Sequence, residues 1–201
     1  ALLAPPAVRG DVALWRQASD MAKSMGASDI EATSVSEAYR PVTDALRNQA
    51  DDLQLNAAVR AFLLAQVEAT PPLRTTVGNR DAYLARTLPA VLAQFRSPWM
   101  RYLISFDPST VLANVHCPVL AMFGERDLVV PIDLNRAPFE AALNAAGNRA
   151  VTLKVYPEAN HLFLKAVTGS PAEYPALEKT FVPGLLDDLA NWVVGVTATG
   201  R

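Results

Sequence analysis

Two histidines occur among the 201 residues, and their settings differ. His161 stands in VYPEANHLFL, six residues past Val155 at the end of an apolar run. His116 stands directly before Cys117-Pro118, at the entrance of another such run. An imidazole can take up and release protons near neutral pH. A buried carboxylate at one ring nitrogen fixes its tautomer and stabilises the imidazolium. Asp127, four residues after Phe123 in AMFGERD, is the carboxylate best placed for that task, with Glu125 and Asp133 as rival acids. The bland alternatives are a loop histidine satisfied by local hydrogen bonds and an aspartate that caps a turn or a helix. His116 reads as structural, because it precedes its strand rather than following it. Cys117 is the sole cysteine, so no intrachain disulfide can form, and it reads as a small buried apolar residue. No Cys/His cluster suggests a zinc site, and no carboxylate pair suggests glycoside cleavage.

The elements that must carry Asp127 and His161 lie in the second half. Val119 to Phe123 is a short continuous apolar run between Pro118 and Gly124, the form of a parallel strand covered on both faces. A helix is expected from about Leu134 to Ala146. VTLKVYP then alternates, with Val151, Leu153 and Val155 on one face and Thr152 and Lys154 on the other, which predicts a half-solvated edge strand. The closing stretch predicts an amphipathic helix with Leu185, Leu186, Leu189, Trp192 and Val193 inward. Strand, loop, helix, strand, loop, helix is the sequence form of an open α/β sheet, where chemistry gathers at the carboxyl ends of the strands.

The first half reads differently. ALLA (1–4) suggests the end of a buried strand, stopped by Pro5-Pro6. Asp11 is a candidate N-cap for a helix that buries Leu14, Ala18, Met21, Ala22 and Met25 and closes at Gly26. From Ser28 to Trp99 the periodicity is helical, with the broadest stripe running from Leu53 to Val67. A helix over about 79–95 contains Pro89, which predicts a kink or a division. Ser97-Pro98 reads as an N-cap followed by proline at the first helical position. Trp99, Tyr102 and Phe106 follow at helical spacing and read as packing, with a substrate clamp as the alternative.

PVLAMFGERDLVVP and LKVYPEANHLF resemble the penultimate strand with its acid loop and the last strand with its histidine loop in the α/β-hydrolases. DPSTVLANVHCPVL resembles the approach to that strand in the branch of esterases, dienelactone-hydrolase-like and serine-aminopeptidase-like proteins. The triad order of this fold is Ser, Asp/Glu, His, and Asp127 precedes His161. The resemblance implies an α/β fold made of the last three parallel strands of a hydrolase sheet plus a helical cap. It divides the chain into the end of a core strand (1–10), a cap (11–106) and the carboxyl-terminal part of the core (107–201). It implies Asp127 and His161 as catalytic residues, with Leu162, Phe163 and Trp99 as candidate substrate contacts. Leu162 and Phe163 are equally readable as anchors of the loop. None of the nine serines stands in G-x-S-x-G, and no HGGG-type oxyanion segment is present. The expectation is therefore the carboxyl-terminal portion of a serine hydrolase acting on small-molecule carboxylic esters, its nucleophile in an amino-terminal half of the core upstream of Ala1. The alternatives are a non-catalytic helical interaction module on a degenerate hydrolase core, and one subunit of a heteromeric hydrolase.

Composition excludes other classes. Net charge is −2, 51% of residues are apolar and 19% charged, the balance of a soluble globular protein with room for a core. No Lys/Arg block interleaved with aromatics points to nucleic acid. The longest apolar runs fall short of the ~20 residues that cross a bilayer. Neither compartment nor oligomeric state is written in the sequence.

Overall fold

A computed structural model describes residues 1–199. These fall into two compact units, one made of 1–8 with 107 onward and the other of 9–106.

The first unit is built on a three-stranded parallel sheet in the order β1 (Leu2–Leu3), β2 (Val119–Gly124), β3 (Val151–Tyr156). Leu2 lies opposite Ala121, and the β2–β3 register runs from Val119↔Val151 to Gly124↔Tyr156. Every residue of β2 is buried, as its unbroken apolar run requires. Because strand side chains alternate, Val119, Ala121 and Phe123 face one core with Phe139, while Leu120 and Met122 face another with Tyr156 and Phe163. Phe123 meets Phe139 edge-on at 6.1 Å, and Tyr156 meets Phe163 likewise at 6.0 Å. Asn135 pins the segment after β1, its Oδ1 accepting from Ala7 N at 2.8 Å. This is the α/β class that the alternation of strands and helices predicts.

In and around the sheet, three details depart from the sequence reading. Leu2 and Leu3 are exposed, because β1 pairs on one side only and sits at the edge of the described sheet. Cys117 is exposed too, lying in the approach to β2, where Asn148 Nδ2 donates to its carbonyl at 2.8 Å. The polar face of β3 is not simply solvated: Lys154 pairs with Asp188, and the Tyr156 hydroxyl donates to the same carboxylate at 2.8 Å. The hydrogen bond from Lys154, with that from Tyr156, holds the Asp188 carboxyl below the usual carboxylate range.

The second unit contains α1 (Gly10–Ser24), α2 (Asp29–Arg47), α3 (Asp52–Ala69), α4 (Pro71–Thr76), α5 (Arg80–Phe95) and α6 (Pro98–Ser105). α2 opens with a full capping box, in which Ser28 Oγ accepts from Glu31 N and Glu31 accepts from Ser28 N. Asp11 is not the N-cap. It lies fully buried in the first turn of α1, paired with Arg9 at 2.7 Å and with Arg47. Gly10 sets the approach of α1 to α6, since a Cβ there would lie 1.9 Å from the Leu103 carbonyl oxygen. α5 runs unbroken through Pro89, carried by the buried stripe Leu84, Leu88, Leu92 and Phe95. Leu53, at the start of the expected α3 stripe, is exposed, while Leu55, Val59, Phe62 and Leu63 are buried. In α6 the buried positions are Met100 and Ile104; Trp99 is 64% and Tyr102 63% exposed, against the packing reading of that aromatic spacing.

The first unit also holds α7 (Pro108–Leu112), α8 (Ile132–Ala145), a 3₁₀ turn (Pro171–Ala176) and α9 (Leu185–Thr199). α9 packs through Leu185, Leu189 and Trp192 at spacings of four and three. Leu186 and Val193 each follow a member of that stripe, about 100° further round the helix, and are exposed rather than inward. Among the described residues no helix is long and apolar enough to cross a membrane.

Candidate active site

The adjacency of β2 and β3 brings two loops together at their carboxyl ends. Backbone contacts join them directly: Glu125 N donates to Tyr156 O at 3.0 Å and Arg126 N to Ala159 O at 2.9 Å. Gly124 makes the approach possible, because a Cβ there would lie 2.4 Å from the Ala159 carbonyl oxygen. On the other side Gly169 presses on the same loop, and a Cβ there would lie 1.8 Å from the Arg126 oxygen. Arg126 also donates to the Ala166 carbonyl through Nη1.

Within this frame the Asp127 carboxylate is 2% exposed and has both oxygens engaged. Oδ1 accepts from Val129 N and Val130 N, each at 2.8 Å, which folds the loop around the side chain and fixes its orientation. Oδ2 faces His161 Nδ1 at 2.9 Å. A carboxylate oxygen can only accept, so Nδ1 carries a proton, and in the neutral ring the lone pair is then on Nε2. Nε2 has no protein partner among the described residues, and the His161 side chain is 32% exposed. The arrangement holds the imidazole in one orientation, with Nδ1 on the carboxylate and Nε2 facing away from it. The rival acid Glu125 instead accepts from Glu158 N at 3.1 Å, and Asp133 lies in the first turn of α8. His116, at the opposite end of β2, hydrogen-bonds the Ala146 carbonyl through Nδ1 at 3.1 Å.

Beside His161 is an apolar cavity of ≈ 250 Å³ walled by Leu3, Leu162, Phe163, Phe181 and the α9 leucines Leu185 and Leu189. Leu162 is half-exposed at its rim. Phe163 is buried, adopts a left-handed φ of 56°, and packs on Tyr156, so it anchors the loop as well as lining the cavity. Trp99 lies on the exposed surface of the helical unit.

Sequence reasoning did not single out the turn at Pro171–Ala176. Ser170 caps it, accepting from Ala172 N at 3.3 Å. Glu173 reaches back to accept from the backbone N–H groups of Gly169 (2.6 Å), Thr168 (3.2 Å) and Val167 (3.3 Å). Burial pushes the Glu173 carboxyl up, but these amides outweigh it and hold it below its ordinary range. Tyr174 places its hydroxyl in the interior with no hydrogen-bond partner among the described residues; the His161 N–H lies toward it but falls short of bonding geometry. Burial, then the charges of Asp127 and Glu173, push its pKa up to about 12. The phenol therefore stays neutral beside the Asp127 carboxylate. Removing an unpaired buried hydroxyl removes a desolvation cost, so Tyr174→Phe should leave stability unchanged or raise it by up to about 1 kcal/mol. Urea unfolding checks this; a loss of more than 1 kcal/mol shows that the hydroxyl is bonded after all. A run such as GSPAEYP offers one readable sign, a serine before proline at the start of a turn.

Among the described residues no group of three His, Cys, Asp or Glu side chains comes together as a metal site. Residues 105–181 match the Dienelactone hydrolase family, so this part of the chain is similar to hydrolases of the α/β-hydrolase fold. The matched segment contains β2, Asp127, β3, His161 and the Tyr174 turn. Neither the curated proteins nor the solved structures yield a match.

Proposed function

We propose that this chain carries the acid and the base of a serine hydrolase that cleaves carboxylic esters, with the nucleophile contributed by sequence outside these 201 residues. The observation that carries the reading is the 2.9 Å contact between His161 Nδ1 and a buried, doubly anchored Asp127. His161 Nε2 takes the proton of the attacking serine hydroxyl as its oxygen bonds to the ester carbonyl. The same nitrogen then gives that proton to the departing alcohol, and a water repeats the sequence on the acyl-enzyme. Asp127 remains ionised and supports the imidazolium through Nδ1–H. Backbone amides from outside the chain hold the oxyanion, each contributing on the order of 3 kcal/mol. Leu162 and Phe163 contact the substrate beside the base. The helical unit acts as a cap, and Trp99 is its candidate contact. The resemblance to α/β-hydrolases implies no metal or organic cofactor for this chemistry.

Labelling with a fluorophosphonate probe tests this directly. The longest polypeptide encoded by the same reading frame is expected to be labelled at a serine outside the 201 residues and to turn over p-nitrophenyl butyrate, while the chain alone does neither. Labelling of a serine within the chain, or turnover by the isolated chain that is lost on His161→Ala, sinks the proposal. Labelling only after addition of a second polypeptide identifies a heteromer.

A further inference from the structure

The residue before the base is fully buried, and its hydrogen bonds all converge on one turn. Asn160 N–H donates to Leu164 O at 3.0 Å, and Asn160 O accepts from Phe163 N–H at 2.9 Å, which closes the backbone around His161 and Leu162. The side chain repeats the closure: Oδ1 accepts from Leu162 N at 2.9 Å and from Leu164 N at 3.0 Å. Two amide donors on one atom identify it as the oxygen rather than the nitrogen. Nδ2 has no partner among the described residues. A buried donor without an acceptor gains nothing from its position. The side chain therefore acts through Oδ1 alone, and Oδ1 acts on the amides that follow His161. The turn also holds Phe163 at φ 56°, a conformation that a bulky L-residue rarely adopts unaided. The Asn160 carbonyl meanwhile rests against Gly124 at the end of β2, where a Cβ would lie 2.7 Å from it. The turn is thus seated on the strand that leads to Asp127.

We propose that Asn160 is the positioning residue of His161: its Oδ1 clamps the 160–164 turn so that the imidazole Nδ1 meets Asp127. The catalytic consequence rests on the reading of His161 as the base; the positional claim does not. The asparagine needs its acceptor and not its donor, so aspartate at this site retains the clamp and alanine loses it.

Nitrogen chemical shifts of the two imidazoles, measured on the ¹⁵N-labelled 201-residue chain above the histidine titration range, test the claim. The shifts report which ring nitrogen carries the proton, and His116 is the internal reference. The wild-type His161 is expected in the Nδ1–H form. Asn160→Ala is expected to move it toward the Nε2–H-dominated mixture of a free imidazole, with His116 unchanged. Asn160→Asp is expected to keep the wild-type pattern. A folded Asn160→Ala chain that keeps the Nδ1–H form overturns the proposal, as does Asn160→Asp behaving like alanine. Should either variant fail to fold, amide exchange in the wild type decides. The Leu162 and Leu164 amides are expected to exchange at least ~10-fold slower than peptide rates, and peptide-like exchange refutes the clamp. An absence of ester turnover leaves these readouts untouched, so failure of the catalytic reading is distinguishable from failure of this one.

Discussion

Replacing His161 by alanine should abolish ester turnover in the polypeptide that also carries the nucleophile, lowering kcat by roughly 10⁵–10⁶-fold. The imidazole is the group placed to accept the nucleophile's proton, and alanine leaves no base in its position. Asp127→Asn gives a sharper version, with an expected loss of roughly 10⁴-fold. The asparagine carbonyl can still accept from Val129 N and Val130 N, so the loop keeps its shape. Its NH₂ is then turned toward His161. An amide nitrogen donates, so Nδ1 must become the acceptor and the proton moves to Nε2, the atom that has to be basic. Steady-state hydrolysis of p-nitrophenyl butyrate, with circular dichroism to confirm folding, measures both variants. A loss smaller than ~10-fold in His161→Ala assigns the base elsewhere, and one as small in Asp127→Asn removes Asp127 as its orienting acid.

Gly169→Ala should destabilise the sheet-bearing unit by about 3 kcal/mol, of which about 1–2 reflects the left-handed backbone and the remainder the crowding. The residue has φ +79°, and its Cβ would lie 1.8 Å from the Arg126 carbonyl oxygen, so the acid loop must retreat. Arg126 immediately precedes Asp127, and its displacement carries the carboxylate away from His161. Gly147→Ala is the matched control, left-handed at φ +71° with open space around it, and should cost only about 1–2 kcal/mol. Urea unfolding of both variants measures the difference. Equal losses would falsify the steric account, because backbone strain alone then explains them.

How much of this is legible in the sequence depends on whether a residue's role is set by its own strand or by a distant partner. β2 and β3 announce themselves, one as an unbroken apolar run and the other as an alternation. Asp127 and His161 follow those strands by short loops, and because Phe123 lies opposite Val155, both loops start from the same end of the sheet. The roles of Gly124 and Gly169 depend on backbone atoms of other loops, and no local pattern encodes such contacts. Asp11 misleads for a similar reason: its type suits an N-cap, but Arg47, far along the chain, draws it into a buried pair. Apolar type alone also fails to orient α9, where Leu186 and Val193 satisfy composition but not the angle of the packed stripe.

The helical unit begins and ends at one point. Gly10 N donates to Phe106 O at 3.3 Å, so the chain leaves and re-enters this unit through neighbouring residues. Its internal core and caps are self-contained, and the β1–β2 register needs only a short span between residues 8 and 107. Such an insertion is modular. Exchange of the 98 residues from Arg9 to Phe106 for another helical insert is expected to leave the strand pairing in place, because none of them takes part in it. The hydrogen bonds that hold Asp127 to His161 likewise use no residue of this unit, so selection can vary it while those bonding partners stay the same.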